Sequence, residues 1–294
     1  MDKPQIIGLG LNGLVGSRTT ELLNEKYEFI SLERSTGVDI TKPESLTLIK
    51  DYPHANFVLH MAAKTDVDSC EADKSLNEAG DAWKINVMGA KNVAQICRET
   101  GKKMIYISTD FVFDGEKALG ERYSEQDLPN PVNWYAETKF EGEKAVEASA
   151  ADYVIIRLAY PYRADFDTKL DFFRTIRDRL SQNQPVAGVT DHIFCPTLID
   201  DFAFSLDKLI EADANGIYHV VGDQALTPYG AAVLIAEIFG FDKSLITETT
   251  RDAFFKDRAP RPFNVALKND KIKQLGAKMR GFEEGLHTIK SQLS

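Results

Sequence analysis

The chain has 294 residues, of which 43% are hydrophobic and 27% are charged, and its formal net charge is -10. This length suits one large domain or two unequal ones. The negative charge argues against nucleic acid or an anionic membrane surface as a main partner, because both attract concentrated Lys and Arg. An anionic small molecule remains compatible with this charge, since such a ligand needs only a local pocket of donors.

The three cysteines, Cys70, Cys97 and Cys195, lie far apart and match no metal-binding spacing. A sparse, odd set of this kind fits a reducing compartment, where cysteines act as small hydrophobic residues. The N-terminal sequence lacks the apolar core of a signal peptide, and no apolar run of the sequence is long enough to span a bilayer. We therefore expect a cytoplasmic protein.

The first half of the chain alternates short apolar runs with helical patterns. Strands are predicted at residues 5–9, 27–32, 56–61, 104–107 and 153–158, and helices at residues 14–24, 41–52, 75–100 and 133–149. Thr41 is predicted to cap the second helix at its N-terminus, and Gly101 to end the third. Apolar strands that alternate with helices indicate a parallel sheet covered on both faces.

The pattern loosens after residue 160. Here we predict a basic helix at 166–182, a loop at 190–197, a helix at 198–211, a strand at 216–221, a helix capped by Thr227, and a C-terminal helix from Phe282. The expected fold class is α/β, with a Rossmann doubly wound parallel sheet in residues 1–160. A smaller, partly interleaved substrate lobe is expected in residues 161–294, with some of its segments returning to the Rossmann sheet.

A glycine cluster separates the first strand from the first helix. Gly10, Gly13 and Gly16 lie at three-residue spacing, and a strand-to-helix turn uses such glycines for a tight backbone and for close approach to a pyrophosphate. The N-terminus of the following helix offers N–H groups to the anion. Alone, the cluster is also compatible with an ordinary tight turn. In the first βα unit of a doubly wound pattern, it predicts dinucleotide binding.

The second strand is expected to end near the adenosine ribose. Glu33 could accept a hydrogen bond from the ribose 2′-OH, which favours NAD, whereas Arg34 could hold a 2′-phosphate, which favours NADP. The pair leaves the choice open, with a lean to NADP. Asp39 and Ile40 are expected at the edge of the adenine.

The stretch ISTDFVFDG ends the fourth strand in three small polar side chains, residues 108–110. A plain strand end needs only one turn-forming residue. Tyr135 and Lys139 follow, four residues apart on one face of a helix; alone, this pair is compatible with a solvated helix face. Because ligands of an open parallel sheet bind beyond the carboxyl ends of its strands, these residues are candidates for one active site.

These motifs carry a resemblance to a known family. In their order, the glycine loop, the strand-end pair Ala62-Ala63, the ISTDFVFDG stretch and the Tyr135–Lys139 pair resemble those of an extended short-chain dehydrogenase/reductase. The chain is similar in particular to the dTDP-4-dehydrorhamnose reductase family. Further matching segments are KTDVD at 64–68, VIIRLAYPY at 154–162, DHIFCPT at 191–197 and RPFNVAL at 261–267, so the resemblance covers essentially the whole chain.

The resemblance implies hydride transfer from a nicotinamide to the ketone of a nucleotide-linked sugar. Tyr135 would protonate the carbonyl oxygen, Lys139 would lower the tyrosine pKa and bind the nicotinamide ribose, and Thr109 would hydrogen-bond the same oxygen. The other residues implied at the cofactor are Asn12, Leu14, Val15, Ala62, Ala63 and Lys64. The residues implied at the substrate are Thr65, Val67, Thr109, Asp110, Phe111, Tyr160 and Arg261.

Several positions depart from the reductase pattern. Phe111 stands where the family often has Tyr, Lys64 replaces an expected aromatic residue, and Tyr160 stands where the sugar reductases tend to carry Trp. The catalytic set is intact while the substrate-facing set is altered, so the particular sugar is left open. His192 and Cys195, in a loop that the family uses near the substrate, are expected to be structural.

Four basic side chains of the predicted helix at 166–182 are equally compatible with a substrate diphosphate and with a solvated face. They are Lys169, Arg174, Arg177 and Arg179. Arg258 lies close enough to Arg261 in the sequence to compete with it for the substrate position.

Two alternatives stay open. A nucleotide-sugar epimerase or dehydratase of the same superfamily would use Tyr135 and Lys139 but return the hydride to the substrate. A nucleotide-binding regulatory subunit, like the methionine adenosyltransferase beta subunit, would not need Tyr135, Lys139 and Thr109 together. The acidic, metal-bridged dimer contacts of some relatives are not matched; we therefore expect no metal, and a homodimer is left open.

Overall fold

The computed structural model describes residues 3–149 and 152–294. Its strands are β1 Gln5–Leu9, β2 Glu28–Ser31, β3 Ala55–His60, β4 Lys103–Thr109, β5 Tyr153–Leu158, β6 Pro161–Tyr162, β7 Val186–Val189, β8 Thr197–Leu198, β9 Gly216–His219 and β10 Ile246–Thr249. Its α-helices are α1 Leu14–Leu23, α2 Val67–Ala72, α3 Asp81–Trp83, α4 Gly89–Thr100, α5 Trp134–Ala148, α6 Phe172–Ser181, α7 Ile199–Glu211, α8 Pro228–Phe239, α9 Arg251–Phe254, α10 Asp270–Gln274 and α11 Phe282–Leu293. Within these two ranges, no helix has the length and apolar character that crossing a membrane requires.

The central sheet has six parallel strands in the order β2-β1-β3-β4-β5-β9. Successive side chains of a strand point to opposite faces, so Ile6 is buried against α1, α7 and α10, whereas Ile7 is buried against α4 and α5. The strand order reverses beside β1, where the chain crosses from β2 to β3. This arrangement confirms the predicted doubly wound parallel sheet.

The chain after β5 contributes to two packing units. Strand β9 pairs with β5, and α7 lies against α1, so both belong to the central sheet. Helices α6, α8 and α11 bury a separate apolar cluster that includes Phe173, Ala232 and Leu286. We therefore propose that the smaller lobe at 161–294 is interleaved with the Rossmann domain rather than appended to it.

The predicted helix at 75–100 is wrong in its first turns. Residues Lys74–Ala79 form a 3-10 segment in which Asn77 has a φ of 46° and a ψ of -127°, so the helical path is broken there. Helical structure resumes at Asp81, where the Asp73 carboxylate accepts a hydrogen bond from the Ala82 N–H at 2.9 Å. Gly101 ends α4 in the left-handed conformation, with a φ of 65°, as predicted.

Two other predicted helix starts are also wrong. Thr41 does not cap a helix: its hydroxyl donates to Asp39 at 2.8 Å, and the segment that follows is a 3-10 helix, Pro43–Asp51. The basic helix begins at Phe172 instead of residue 166, because the Asp171 side chain caps it by accepting from the Arg174 N–H at 2.8 Å.

Candidate active site

The sequence motifs meet at the carboxyl edge of the central sheet. Strand β1 leads into the glycine loop at Gly10, β3 leads into Ala62-Ala63, and β4 ends at Thr109. Strands β1, β3 and β4 are neighbours, and α5, which carries Tyr135, packs on β4 and on the turn that follows it. Residues far apart in the sequence are thus brought to one edge of the sheet.

The glycine loop excludes side chains at two of its three glycines. Gly10 has a φ of 87°, and a Cβ there would lie 2.8 Å from the Ala62 nitrogen. A Cβ on Gly16 would lie 2.6 Å from the Leu11 Cα. Gly13 begins α1 without a side-chain cap, which leaves the helix N-terminus open to an anion. Of the other residues predicted at the cofactor, Asn12 lies in the same loop, and Leu14 and Val15 begin α1.

Substituting Gly10 by alanine tests the close approach of the loop to Ala62. Gly37 is a matched control, because its φ of 89° is nearly the same while a Cβ there meets nothing within 4 Å. We expect Gly37→Ala to cost about 1–2 kcal/mol of unfolding free energy from backbone strain alone. Gly10→Ala should cost about 1–3 kcal/mol more, because the Ala62 backbone must move. Urea unfolding measures both losses, and equal losses would contradict the close approach.

The carboxylate of Glu33 is held on the glycine loop. It accepts from the Asn12 backbone N–H at 3.3 Å, from the Asn12 side-chain amide, and from the Ser31 hydroxyl at 2.8 Å. The Arg34 side chain is exposed, and its Nε lies 3.5 Å from an Asp39 carboxylate oxygen. The carboxylate predicted to accept from a ribose hydroxyl is therefore fixed in place, whereas the cation predicted to hold a 2′-phosphate lies at the surface.

Asp39 and Ile40 lie beside this position but differ in exposure. Hydrogen bonds from Thr41 hold the pKa of the Asp39 carboxyl below its usual value. Ile40 is buried, and its Cδ1 would lie 2.7 Å from a Cβ built on Gly89. Its carbonyl oxygen accepts from the Asn92 side chain at 2.9 Å.

A buried asparagine that the sequence reasoning missed fixes the backbone after β3. The Asn86 side chain accepts from the Lys64 N–H at 2.9 Å and donates to the Lys64 carbonyl at 3.0 Å and to the Thr138 hydroxyl at 3.0 Å. The Lys64 ammonium pairs with Asp73 at 2.6 Å. In the sequence, the position of this polar residue between Ile85 and Val87, within a helical pattern, was the feature that could have indicated a buried side chain with a structural role.

Tyr135 and Lys139 lie on successive turns of α5, whose first turn is capped by the Asn133 side chain. The Lys139 ammonium donates to the Ile107 carbonyl at 2.7 Å and lies 4.1 Å from the centre of the Tyr106 ring. Thr109 is buried, and its hydroxyl, which donates to Asp110 at 3.0 Å, lies close enough to Tyr135 to lower the tyrosine pKa. The three predicted catalytic side chains therefore lie together.

Burial sets the pKa values of this group. It raises the pKa of Tyr135 well above the ordinary value, which the contact with Thr109 opposes. It lowers the pKa of Lys139 to about 7, which Glu143 opposes. The tyrosine therefore holds its proton at neutral pH, as a proton donor must. The effect of Lys139 on the tyrosine pKa stays a prediction.

An aromatic wall faces Tyr135. The Phe111 ring lies 6.2 Å from the Tyr135 ring and 6.1 Å from the Tyr160 ring, centre to centre, and Val67 packs in the same apolar cluster. Tyr160 has a φ of 40°, and its hydroxyl lies 2.8 Å from His192 Nε2. His192 Nδ1 lies 2.7 Å from the carbonyl of residue 262, so Nδ1 carries the proton and Nε2 accepts from Tyr160.

Arg261 binds Asp68, a residue that the sequence did not indicate as part of the site. Its guanidinium donates to Asp68 at 3.0 Å, and Arg258 donates to the same carboxylate at 2.8 Å. Both arginines line a cavity of about 510 Å³ together with Arg251 and Phe255. Arg258 and Arg261, the two candidates for the substrate position, therefore bind the same carboxylate.

The four basic side chains of residues 169–179 do not form a common surface. Arg174 is buried and paired with Asp171 at 3.0 Å, so it is structural. Arg177 and Arg179 donate to backbone carbonyls at 3.2 and 2.8 Å. Lys169 alone among the four contacts a predicted substrate residue: its ammonium donates to the Thr65 hydroxyl at 3.1 Å.

Comparison with known proteins gives the family. The RmlD substrate binding domain family matches residues 4–294. A dTDP-4-dehydrorhamnose reductase of Mycobacterium tuberculosis is 30% identical over 267 residues, 90% of this chain and 84% of that protein. The dTDP-4-dehydrorhamnose reductase of Bacillus anthracis in complex with NADP has a TM-score of 0.89 at 28% identity, over 99% of this chain and 100% of that one. For the dTDP-4-dehydrorhamnose reductase of Clostridium acetobutylicum the TM-score is 0.88 at 30% identity, over 98% and 99%. This chain belongs to the RmlD substrate binding domain family.

Proposed function

We propose that this protein is an NAD(P)H-dependent reductase of a nucleotide-linked 4-keto sugar, similar to dTDP-4-dehydrorhamnose reductase, and that it acts in the cytoplasm. The observation that carries the proposal is the grouping of Thr109, Tyr135 and Lys139 at the carboxyl edge of the sheet, beside a glycine loop that excludes a Cβ at Gly10. A pyrophosphate needs such a backbone cradle. A module that only binds nucleotides has no need of the three side chains together.

The proposed roles follow from the positions of the side chains. A nicotinamide held over this edge would supply the hydride. Tyr135 would give its phenolic proton to the carbonyl oxygen, and burial keeps that proton in place at neutral pH. Thr109 would donate a hydrogen bond to the same oxygen, and Lys139 would hold the nicotinamide ribose. Phe111 and Tyr160 would contact the sugar ring.

The test uses the purified protein, NADH or NADPH, and a panel of 4-keto nucleotide sugars, followed at the nicotinamide absorbance. One cofactor oxidised for each ketone reduced supports the proposal. Product formed without net cofactor oxidation would replace it with an epimerase or dehydratase. Cofactor binding with no turnover of any ketone, together with a partner enzyme whose activity changes on addition of this protein, would replace it with a regulatory subunit.

Glu33 is expected to disfavour NADP, because its carboxylate is fixed on the glycine loop where a 2′-phosphate would meet it. In Glu33→Ala, the ratio of kcat/KM for NADPH to that for NADH should rise by about tenfold or more, which corresponds to about 1.4 kcal/mol. Glu28→Ala is the matched control, since that acid begins β2, the strand that Glu33 follows, and accepts from Gln5 instead of from the glycine loop. An unchanged ratio in Glu33→Ala would show that Glu33 does not select the cofactor.

A further inference from the structure

The Thr109 hydroxyl has a single hydrogen, and two acceptors compete for it: the Asp110 carboxylate and the oxygen of Tyr135. It donates to Asp110 Oδ1 at 3.0 Å. It also lies close enough to Tyr135 for its hydrogen to lower the tyrosine pKa. A hydroxyl donates only one hydrogen bond. Thr109 therefore cannot donate to Asp110 and to an oxygen atom beside the Tyr135 hydroxyl at the same time. The Thr109 oxygen also accepts a hydrogen bond from the Phe111 N–H at 3.3 Å.

The Asp110 carboxyl is buried with half of its bonding capacity unused. Its relative exposure is 2%, and among residues 3–149 and 152–294 its Oδ2 has no hydrogen-bond partner. A buried carboxylate oxygen without a donor is costly when ionised, whereas a protonated carboxyl supplies its own donor. Burial accordingly raises the pKa of Asp110 to about 7, while the hydrogen bond from Thr109 acts in the opposite direction.

We propose that Asp110 is a positioning residue whose proton decides where the Thr109 hydroxyl points. When Asp110 is ionised, Thr109 donates to Asp110 and offers only a lone pair to the reacting oxygen. When Asp110 is protonated, its O–H donates to Thr109, and the Thr109 hydrogen is free for the carbonyl oxygen beside Tyr135. This inference rests on the proposed reductase function, because the carbonyl oxygen is the substrate's.

The titratable groups facing Asp110 come from three other segments. They are Tyr135 of α5, Tyr160 after β5 and Cys195 before β8. Burial raises the pKa of each of these groups above its ordinary value, that of Cys195 to about 11. All three are neutral around pH 7, so Asp110 is the member of this set that changes charge there.

The test compares the wild type with Asp110→Asn, whose amide can donate to Thr109 at every pH. The ratio of wild-type to variant kcat/KM for ketone reduction should fall by about tenfold between pH 5.5 and pH 8.5, because a positioned donor to the reacting oxygen is worth at least that much. Lys139 loses its proton in the same range, but its titration is common to both proteins and cancels in the ratio, since Asp110 is not among the groups that shift its pKa. A ratio that does not change with pH would overturn the inference.

Asp114→Asn is the matched control. This carboxylate belongs to the same stretch but accepts from Tyr123 at 2.5 Å and from Asn130 at 3.1 Å. The ratio of wild-type to Asp114→Asn kcat/KM should not depend on pH. A purely structural role of Asp110 would lower activity equally at all pH values, so the pH profile separates structural from positioning roles, with thermal unfolding of each variant as the check on folding.

A second measurement does not depend on turnover. The carboxyl ¹³C resonance of Asp110, assigned by its loss in Asp110→Asn, reports the titration directly. Thr109→Val removes the donor that stabilises the carboxylate, so the titration midpoint should rise. If the wild type reduces no ketone, the proposed function is wrong. The titration midpoint of Asp110 then tests by itself whether Asp110 and Thr109 are coupled. An unchanged midpoint in Thr109→Val would overturn it.

Discussion

Replacing Tyr135 with phenylalanine is expected to lower kcat for ketone reduction by about 10²–10⁴-fold, the usual contribution of a positioned general acid. The phenylalanine ring keeps the contact with Phe111, whose ring centre lies 6.2 Å away, and only the hydroxyl beside Thr109 is lost. Binding of NADH or NADPH should change little, because the glycine loop and Glu33 are untouched. Stopped-flow absorbance gives the first quantity, and titration of the reduced cofactor by fluorescence gives the second.

Tyr153→Phe is the matched control for this substitution. Its hydroxyl lies 3.5 Å from the Glu147 carboxylate, and its side chain belongs to β5, at the opposite end from the strand's carboxyl edge. Activity of this variant should equal that of the wild type. If Tyr135→Phe kept more than about a tenth of the wild-type kcat, another group would have to supply the proton, and the proposed role of Tyr135 would be wrong.

The location of the candidate site could be predicted from the sequence because a parallel sheet brings the carboxyl ends of its strands to one edge. The glycine loop, Ala62-Ala63 and Thr109 each follow an apolar strand directly, so local patterns were sufficient to place them. Tyr135 and Lys139 needed only the four-residue spacing of one helix.

Contacts between distant segments were outside the reach of such patterns. Asn86 joins Lys64 to Thr138 by side-chain hydrogen bonds, and no local period indicates a polar partner so far along the chain. The same applies to Asp68, which pairs with Arg258 and Arg261. The helix that follows the break at Asn77 is another example, because the Asp73 carboxylate that accepts from the Ala82 N–H is itself paired with Lys64.

Removing the Glu143 carboxylate is expected to be strongly destabilising. Glu143 lies on α5, two turns after Tyr135, and accepts from Arg157 of β5 at 3.0 and 2.7 Å. The two side chains are 1% and 2% exposed, so Glu143→Ala leaves a buried guanidinium without its partner. Such a change costs about 3–5 kcal/mol of unfolding free energy. Urea unfolding measures the loss, and α5 should release its hydrogen-exchange protection earlier than in the wild type.

The reason for the expected loss is the charge left behind, and two further variants separate this cause from lost packing. Lys144→Ala breaks an exposed pair with Glu141 on the same helix and should cost less than about 1 kcal/mol. The double variant Glu143→Leu with Arg157→Met removes both buried charges and should be clearly more stable than Glu143→Ala, because no unpaired ion remains. If the double variant were as unstable as Glu143→Ala, shape and the Arg157 contact with the Phe113 ring, rather than charge pairing, would anchor α5 to the sheet.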